Sequence, residues 1–565
     1  MTNASASPPR LTPVLRDATM RWIADDPSAA DRAELQAVLA QAMAGVPAAV
    51  TDLQDRMSAP LAFGTAGLRG PLRAGPAGLN LAVVRRAAAG IAAYLRGQGQ
   101  HGRTVVIGYD GRHRSAELAA DAAGVVAAAG FSVLLATGPL PTPITAFAVR
   151  QLDAAAGLQV TASHNPPQDN GLKVYLAQGA QLVEPEDGRI EAAIAAARPA
   201  RSIDADGAVN EWPDEIVQGY LDRAGSLARS AAPRSSVRLA ITPMHGVGGE
   251  TAVKALHLAG FTDVHVVEQQ ARPDGDFPTV PFPNPEEPGA ADLLLALAER
   301  VEATIAVALD PDADRCAVGV PLPGGGWRML SGDETGALIG DHLLRTLDRA
   351  LHPDPLVATT IVSGELLKTI AAAYGARYDE TLTGFKWIVR SGNGAGGGLV
   401  FGYEEALGLC VDPDRVRDKD GISAAVVAAD LVSGLQSTGQ TLLDRLDELA
   451  RSHGLVVTGQ LSLRVADLRL IADAMVRLRQ RPPTSLLGDP VSEVTDLLPR
   501  TDGIRLRTTR VRVVIRPSGT EPKLKCYLQV TAPVPGGADL AELRASAAAD
   551  IEALTTEVGQ LIGAG

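Results

Sequence analysis

The chain has 565 residues, too many for one compact core, and this length predicts three to five domains. With 46% hydrophobic and 21% charged residues, the composition is typical of a folded protein and excludes wholesale disorder. The formal net charge of −13 disfavours nucleic acid or an anionic membrane as a partner. An anionic substrate would therefore depend on basic residues placed locally around its site.

Cysteine usage and the N-terminus indicate a reducing compartment. Cys316, Cys410 and Cys526 are far apart and odd in number, which predicts neither a disulfide framework nor a Cys-based zinc site. The first residues lack the basic-then-apolar order of a signal peptide. The uncharged stretch 122–149 is long enough to span a bilayer, but its glycines and prolines favour a helix end, a strand and a turn. We expect a cytoplasmic protein.

The first two-thirds of the chain alternates short β-rich runs with amphipathic helical patterns. Strand–helix–strand units of this kind predict parallel sheets covered on both faces, and ligands collect at the carboxyl ends of such strands. The pattern restarts after linker-like stretches at 197–236, 321–333 and 350–356. The last hundred residues instead place β-rich runs between two helices, which predicts a smaller α+β domain with an antiparallel sheet.

The predicted fold is three similar α/β domains, with mixed and largely parallel sheets, followed by a C-terminal α+β domain. We predict these segments: a helical extension at 1–57, α/β domains at 58–230, 231–333 and 334–460, and the α+β domain at 461–565.

Lysine is rare in this chain. Only seven residues are lysine, and the other 45 basic residues are arginine. Five of the lysines fall in the motifs described below. Because a compact, titratable ammonium differs from a guanidinium in its chemistry, this distribution indicates that the retained lysines have specific roles.

The first motif is T-A-S-H-N-P-P-Q-D-N-G-L-K (161–173), directly after a predicted strand. It exposes the hydroxyl of Ser163 at the carboxyl edge of a sheet and, through the turn at Asn170-Gly171, brings Lys173 back towards it. An ordinary loop with serine as a cap is the alternative. A serine hydrolase is disfavoured because the chain has no G-x-S-x-G elbow.

The second motif is A-L-D-P-D-A-D-R (308–315), again after a hydrophobic strand. A tight turn can bring Asp310, Asp312 and Asp314 to one point, where a divalent cation would relieve their repulsion. A donor set of oxygens alone selects Mg²⁺, Mn²⁺ or Ca²⁺ over zinc. An EF-hand is excluded, since Arg315 takes the place of its glycine and Pro321 that of its final glutamate. An acidic solvated turn is the alternative.

The third motif is R-P-S-G-T-E-P-K-L-K (516–525) in the last domain. An arginine fork, two hydroxyls and a glycine that admits backbone N–H groups form a candidate phosphate site, although a surface turn would explain the same residues. A P-loop nucleotidase is disfavoured because G-x-x-x-x-G-K-[ST] is absent.

Further segments complete an ordered set of motifs: F-G-T-A-G-L-R-G (63–70), T-P-M-H-G-V-G-G (242–249), F-P-N-P-E-E-P-G-A (282–290), T-L-T-G-F-K-W (381–387), F-G-Y-E-E-A-L-G (401–408) and R-D-K-D-G (417–421). In this set the sequence resembles the α-D-phosphohexomutase superfamily, and most closely its phosphoglucomutase/phosphopentomutase branch. The resemblance runs from about Phe63 to the last domain.

The resemblance implies a phosphoserine enzyme whose four domains each contribute one loop to a central cleft. Ser163 would carry the phosphoryl group, and one Mg²⁺ would be held by Ser163, Asp310, Asp312 and Asp314. The implied catalytic residues are Ser163, His164, Lys173, Lys419 and Arg69. The implied substrate-binding residues are Arg315, Thr383, Gly384, Lys386, Glu404 and Glu405. The implied residues for the non-reacting phosphate are Arg516, Ser518, Gly519, Thr520 and Lys525.

The expected reaction is the interconversion of glucose 1-phosphate and glucose 6-phosphate, with a sugar bisphosphate as activator of the phosphoserine form. A lysine with a lowered pKa would take the proton of the sugar hydroxyl. Hexose-specific relatives often have serine after the E-E pair, whereas Ala406 stands here, which removes a hydroxyl contact and keeps pentose phosphates open. We expect a small-molecule sugar phosphate as partner, neither nucleic acid nor membrane, and a monomer or homodimer.

Three alternatives remain. The enzyme could be a phosphopentomutase or a phosphomannomutase. The chain could be a non-catalytic sugar-phosphate sensor, although sensing alone would not need a phosphorylatable serine. A phosphatase would share the metal but release phosphate to water.

Overall fold

The computed structural model describes residues 9–64, 67–465, 468–518 and 523–563. Three helices lead the chain: α1 (Pro13–Asp25), α2 (Ala29–Met43) and α3 (Pro47–Arg56). The side chains of Thr12 and Ser28 accept N–H groups in the first turns of α1 and α2 and so define where these helices begin. Contacts of these helices with the first α/β unit include the ion pair of Asp31 with Arg114, at 2.7 Å.

The first α/β unit contains strands β1 (Leu68–Pro71), β2 (Thr104–Tyr109), β3 (Ser132–Leu135), β4 (Ala156–Val160), β5 (Asp169–Leu176) and β6 (Asn210–Glu211). Its helices are α4 (Leu81–Gly97), α5 (Ser115–Ala128), α6 (Thr142–Gln151), α7 (Glu186–Ala195) and α8 (Asp214–Gly225). The strand order is β1-β5-β4-β2-β3-β6. The central pairs are parallel, whereas β5 runs antiparallel to both of its neighbours.

The second unit contains β7 (Arg238–Thr242), α9 (Gly248–Leu258), β8 (Asp263–Val266), α10 (Asp292–Arg300), β9 (Ile305–Leu309), β10 (Cys316–Pro321) and β11 (Trp327–Met329). Its sheet has the order β11-β10-β9-β7-β8, with parallel pairing of β7 to β8 and β9 and antiparallel pairing at β10.

The third unit contains α11 (Gly332–Thr346), β12 (Leu356–Thr360), α12 (Leu366–Ala373), β13 (Arg377–Thr381), α13 (Phe385–Ile388), β14 (Leu399–Glu404), β15 (Gly408–Cys410), α14 (Gly421–Gln436) and α15 (Leu442–His453). Its order is β13-β12-β14-β15, and only the last pair is antiparallel.

The fourth unit contains β16 (Leu455–Arg464), α16 (Leu468–Gln480), β17 (Ser485–Leu486), β18 (Asp489–Pro490), β19 (Glu493–Asp496), β20 (Ile504–Arg507), β21 (Val511–Pro517), β22 (Lys523–Ala532) and α17 (Leu540–Ile562). Its main sheet, β16-β22-β21-β20-β19, is antiparallel throughout. The predicted fold class, three mixed α/β sheets and a C-terminal α+β domain, is therefore confirmed.

Two sequence predictions about the connections are wrong. The stretch 197–236, interpreted as a linker, contains β6 and α8, and the buried face of α8, with Ile216 and Tyr220, packs against α6, α9 and α14. The boundary placed at residue 460 falls inside β16, which pairs along its length with β22 and so belongs to the last sheet. The other predicted boundaries stay predictions.

The hydrophobic residues form several separate cores, one in the first α/β unit, one shared by the next units and one in the last domain. One continuous hydrophobic core runs from α6 and α8 through the second sheet to the third unit. The fourth sheet has a core of its own, and its small apolar contact with the third unit is formed by Ile361, Val362, Val514 and Tyr527. In the described residues no helix is long and apolar enough to cross a membrane. Residues 122–149 form the end of α5, β3 and most of α6. The cytoplasmic location stays a prediction.

Candidate active site

Ser163 lies in the turn directly after strand β4. Its backbone adopts the left-handed conformation, with φ of 53°, in which residues other than glycine are uncommon. The residue is 1% exposed. Its Oγ donates to Asp310 Oδ2 at 2.7 Å and lies 3.2 Å from His164 Nδ1. The hydroxyl of the first domain is therefore in contact with the carboxylates of the second.

A buried network that the sequence analysis missed holds both backbone groups of Ser163. Thr161 Oγ1 accepts the N–H of Ser163 at 2.8 Å and donates to Asp110 Oδ2 at 2.6 Å. Arg112 donates to the carbonyl oxygens of Ser163 and Asn165 at 2.6 and 2.5 Å, and to two further carbonyls of the same loop at 2.8 and 3.1 Å. A signal existed, because D-G-R (110–112) directly follows β2, the parallel neighbour of β4.

Asp310, Asp312 and Asp314 form the predicted cluster after β9. One ligand oxygen from each lies within 4.8 Å of the others, and all three residues are buried. Burial and the two neighbouring carboxylates raise the pKa of Asp310 well above its ordinary value. The Oδ1 atoms of Asp312 and Asp314 are buried without a hydrogen-bond partner. Buried, unpaired carboxylate oxygens at one point fit a hard divalent cation such as Mg²⁺.

Two lysines converge on this cluster. Lys173 Nζ, on β5, donates to Asp312 Oδ2 and Asp314 Oδ2, both at 2.6 Å. Lys419 Nζ lies 3.2 Å from the same oxygen of Asp314. Burial alone would lower the pKa of each lysine, but attraction to the carboxylates outweighs it and raises both. The expected lowering of a lysine pKa is therefore wrong for Lys173 and Lys419, because the carboxylates of Asp312, Asp314 and Asp418 lie close to the two ammonium groups.

Two arginines place further positive charge beside the cluster. Arg315 donates its backbone N–H to Asp310 Oδ1 at 3.0 Å, and its guanidinium contacts Glu286 Oε2 at 3.2 Å. Arg69 Nη1 donates to Asn165 Oδ1 at 3.2 Å in the loop of Ser163. Burial and the charges of Arg315 and Arg69 lower the pKa of His164 well below its ordinary value, so its ring is neutral.

The predicted sugar loops meet at Glu404. Its Oε1 accepts the N–H of Gly384 at 2.8 Å, and Gly384 has φ of 117°, which requires glycine. Thr383 has a buried hydroxyl without a hydrogen-bond partner. Burial lowers the pKa of Lys386. An unpaired hydroxyl and an ammonium that is poorly solvated are groups that a polyol substrate can engage.

Glu405 points elsewhere than Glu404. Its Oε2 accepts hydrogen bonds from Ser363 at 3.0 Å and Thr360 at 3.2 Å, at the end of β12. Burial, Glu404 and Asp333 raise the pKa of Glu405 to about 7. Sequence reasoning assigned the two glutamates one role, but only the structure separates their partners.

The phosphate motif lies on the hairpin of β21 and β22. Arg516 stands opposite Lys525 in the strand register, and the N–H of Ser518 donates to Lys523 O at 2.8 Å. Gly519 and Thr520 lie outside the described residues. Burial and the charge of Glu405 raise the pKa of the Tyr527 phenol, whereas a hydrogen bond from Arg516 opposes that shift. Arg516 therefore lies beside Tyr527, whose ring packs against Ile361 and Val362 of the third domain.

Two more residues of the site were not singled out from sequence. Thr142 Oγ1 donates to Asp312 Oδ2 at 2.5 Å from the start of α6. Glu286, which contacts Arg315, lies within a motif that the resemblance used as a whole. Neither residue type is distinctive in a single sequence, so only the contact identifies them.

Comparison with protein families agrees with this arrangement of domains. Four models described as Phosphoglucomutase/phosphomannomutase match the chain in order: alpha/beta/alpha domain I at 60–201, domain II at 218–323, domain III at 331–452, and the C-terminal domain at 463–553. A buried serine hydroxyl beside a carboxylate cluster and two lysines, on these four domains, fits the class of phosphosugar mutases. The chain belongs to the phosphoglucomutase/phosphomannomutase family of the α-D-phosphohexomutase superfamily, an isomerase family.

Curated relatives carry the names of three different sugar phosphates. The chain is 43% identical over 471 residues to "Probable phosphomannomutase" of Haemophilus influenzae, covering 82% of this chain and 95% of the relative. It is 33% identical to "Phosphopentomutase" of Mus musculus, covering 91% and 88%. It is 31% identical to "Phosphoglucomutase" of Staphylococcus epidermidis, covering 85% and 92%. These similarities do not resolve the sugar.

Proposed function

We propose that this phosphomutase interconverts α-D-glucose 1-phosphate and glucose 6-phosphate through phospho-Ser163 and a bisphosphorylated sugar. The observation that carries the proposal is the hydroxyl of Ser163, 2.7 Å from Asp310 within a carboxylate cluster that Lys173 also contacts. Glu404 and Thr383 offer polar contacts to a sugar ring beside it. The similarity to a phosphoglucomutase of Staphylococcus epidermidis supports glucose as the sugar.

The transfer step forms a bond from a sugar oxygen to phosphorus and breaks the bond from phosphorus to Ser163 Oγ, while the sugar hydroxyl gives up its proton. Lys173 and Lys419, with their raised pKa values, carry positive charge next to the transferring group. The departing Ser163 Oγ takes up a proton, which balances the proton that the sugar hydroxyl loses to solvent. His164 Nδ1, 3.2 Å from Ser163 Oγ, is the candidate to deliver the proton to the serine, because the sugar oxygen approaches phosphorus from the opposite side. Bound Mg²⁺, held by the three aspartates and phospho-Ser163, would supply further neutralisation of phosphoryl charge.

The non-reacting phosphate would be held by Arg516, Ser518 and Lys525 on the last domain. Binding energy gained at this end of the sugar positions the other end for reaction. The last domain has its own core, and its apolar contact with the third unit is small, beside ion pairs of Arg507 with Glu365 and of Arg512 with Glu380. We expect this domain to move while the bisphosphate reorients. A sugar bisphosphate in solution would load Ser163 with phosphate and so act as the activator.

Pentose phosphates are the second candidate substrate. Ala406 stands where hexose-specific relatives often have serine, so one hydroxyl contact to a hexose is missing. The similarity to a phosphopentomutase of Mus musculus supports this candidate.

The test is a comparison of the 1-phosphates of glucose, mannose and ribose under one set of conditions. Coupled assays measure the product phosphates, and a parallel assay measures inorganic phosphate. We expect the highest kcat/KM with glucose 1-phosphate and no phosphate release. A higher kcat/KM with another sugar overturns the glucose assignment, phosphate release equal to substrate consumed indicates a phosphatase, and binding without turnover indicates a sensor. Ser163→Ala, which removes the nucleophile, is the control for background activity.

A further inference from the structure

Lys419 reaches the metal cluster from a loop that has its own support in the first domain. The residue before it, Asp418, is 1% exposed and its Oδ1 accepts the backbone N–H of Lys419 at 2.8 Å. The same oxygen lies 3.6 Å from Lys419 Nζ. The buried carboxylate of Asp418 therefore contacts both the backbone and the ammonium of Lys419.

Asp418 is held in turn by two side chains of the first domain. Its Oδ2 accepts a hydrogen bond from Tyr175 Oη at 2.7 Å and from Gln181 Nε2 at 2.6 Å. Tyr175 is fully buried, and Gln181 is fixed by Arg390, which donates to its carbonyl oxygen at 2.9 Å. A buried carboxylate needs such donors, so the three hydrogen bonds define one position for Asp418.

Tyr175 also links the two lysines of the site. It stands two residues after Lys173 on strand β5, so both side chains project from the same face of the sheet. Lys173 contacts Asp314 directly, and Tyr175 sets the position of Lys419 through Asp418. Strand β5 therefore affects the positions of both ammonium groups next to Asp314: it carries Lys173 itself, and it carries Tyr175, which holds Asp418 beside Lys419.

The aliphatic part of the Lys419 side chain is also restricted by its neighbours. A Cβ on Gly408 would lie 2.3 Å from Lys419 Cδ, so the absence of a side chain at Gly408 admits the lysine. The ammonium lies 5.6 Å from the centre of the Phe385 ring. These contacts direct the stem along one channel, while the Tyr175–Asp418 pair sets how far the ammonium extends towards Asp314.

We propose that Tyr175 and Gln181 are positioning residues that place Lys419 at the reacting phosphoryl group through Asp418. The inference rests on the proposed mutase function, in which Lys419 acts beside Asp314. A displacement of about 1 Å at a reacting group can change a rate strongly while substrate binding, which depends on other loops, persists. Loss of the tyrosine hydroxyl should therefore lower kcat and leave KM unchanged.

The chain offers a matched control. Tyr220 is also buried, and its Oη donates to Asp420 Oδ1 at 2.8 Å, two residues further along the same loop. Asp420 caps helix α14 through its other contacts, to the N–H groups of Ile422 and Ser423. Tyr175→Phe and Tyr220→Phe thus each remove one buried tyrosine–aspartate hydrogen bond. Only the first bond holds a carboxylate, that of Asp418, next to the ammonium of Lys419.

The experiment measures kcat, KM and Tm of both variants in the full-length protein with the best sugar phosphate. We expect comparable losses of Tm, a decrease of kcat by about three- to tenfold at unchanged KM for Tyr175→Phe, and wild-type kcat for Tyr220→Phe. In a Lys419→Met background, Tyr175→Phe should lower kcat no further. Gln181→Met should lower kcat in the same way, and this variant replaces Tyr175→Phe in the experiment if Tyr175→Phe does not fold.

Equal kcat values for the two tyrosine variants, or a further loss in the Lys419→Met background, would overturn the positioning role. A wild-type protein without mutase turnover on any of the three sugars would instead overturn the proposed function, and the catalytic role of Lys419 with it. The two failures are therefore distinguishable.

Discussion

Replacement of Arg112 by lysine tests whether the buried guanidinium holds the phosphoserine loop in its reactive conformation. The guanidinium donates to four carbonyl oxygens, whereas an ammonium on a similar stem cannot reach all four from one point. Loss of two of these charge-assisted bonds costs about 3–6 kcal/mol of folding stability, at about 1.5–3 kcal/mol each.

The effect on the reaction follows from the backbone of Ser163. Its left-handed conformation costs about 1–2 kcal/mol relative to an ordinary one. If the hydrogen bonds of Arg112 no longer compensate that cost, the loop relaxes. The fraction of molecules with Ser163 in the reactive conformation then falls by about 5- to 30-fold. We expect kcat to fall by that factor and KM to stay within about twofold, because the other phosphate is proposed to bind to the Arg516 hairpin, which belongs to another domain.

Arg234→Lys is the matched control. Arg234 also donates to three backbone carbonyls, of Ala259, Ala228 and Ser230, at 2.7, 2.9 and 3.2 Å, and lies over the ring of Phe261. It should lose thermal stability and keep its kcat. The assay is steady-state mutase turnover together with the rate at which a sugar bisphosphate phosphorylates Ser163, followed by intact mass. If Arg112→Lys loses stability but keeps both rates, the clamp supports only the fold and the reasoning is refuted.

Four further outcomes are expected. Ser163→Ala should lose several orders of magnitude in kcat and the phosphate adduct seen by intact mass, and an adduct mapped elsewhere would contradict the nucleophile. Asp310→Asn should raise Tm in the presence of a chelator, since burial and two carboxylates disfavour its charge, and should abolish Mg²⁺ binding in calorimetry; unchanged Mg²⁺ binding would exclude this cluster. Arg516→Ala should raise KM about tenfold or more for sugar phosphates but leave slow phosphoryl transfer to a free sugar unchanged. Equal losses for both acceptors would refute the proposal that Arg516 binds the non-reacting phosphate. Glu405→Gln should become more stable relative to wild type as pH rises from 5.5 to 8. The pKa of Glu405 is about 7 in the folded protein and lower in the unfolded chain, so the wild type loses the stability contributed by the protonated carboxyl as pH rises. A difference in Tm that does not change with pH would contradict the raised pKa.

The sequence by itself determined the fold class and located loops that meet at the candidate site. Alternating periodicities predicted the α/β units, and motifs directly after strands identified Ser163 and the three aspartates. These inferences succeed because periodicity and strand-end position are local properties of the chain. The helix α8 was missed because its apolar face is short and lies in a stretch rich in alanine, arginine and serine, where only packing against α9 and α14 reveals it.

The tertiary structure alone decided which groups support the site. Arg112, Thr142 and Tyr175 contact loops that lie many residues away in the chain. The strand-end position of Arg112 was a signal, but nothing in the local pattern of Thr142 or Tyr175 distinguishes them from other buried polar residues. The contacts of Arg112 lie within the first domain, whereas those of Thr142 and Tyr175 cross to the second and third domains. The titration of Lys173 and Lys419 was likewise beyond sequence reasoning, because the sign of a pKa shift depends on how burial compares with the nearby charges, and only folding brings the carboxylates to those two ammonium groups.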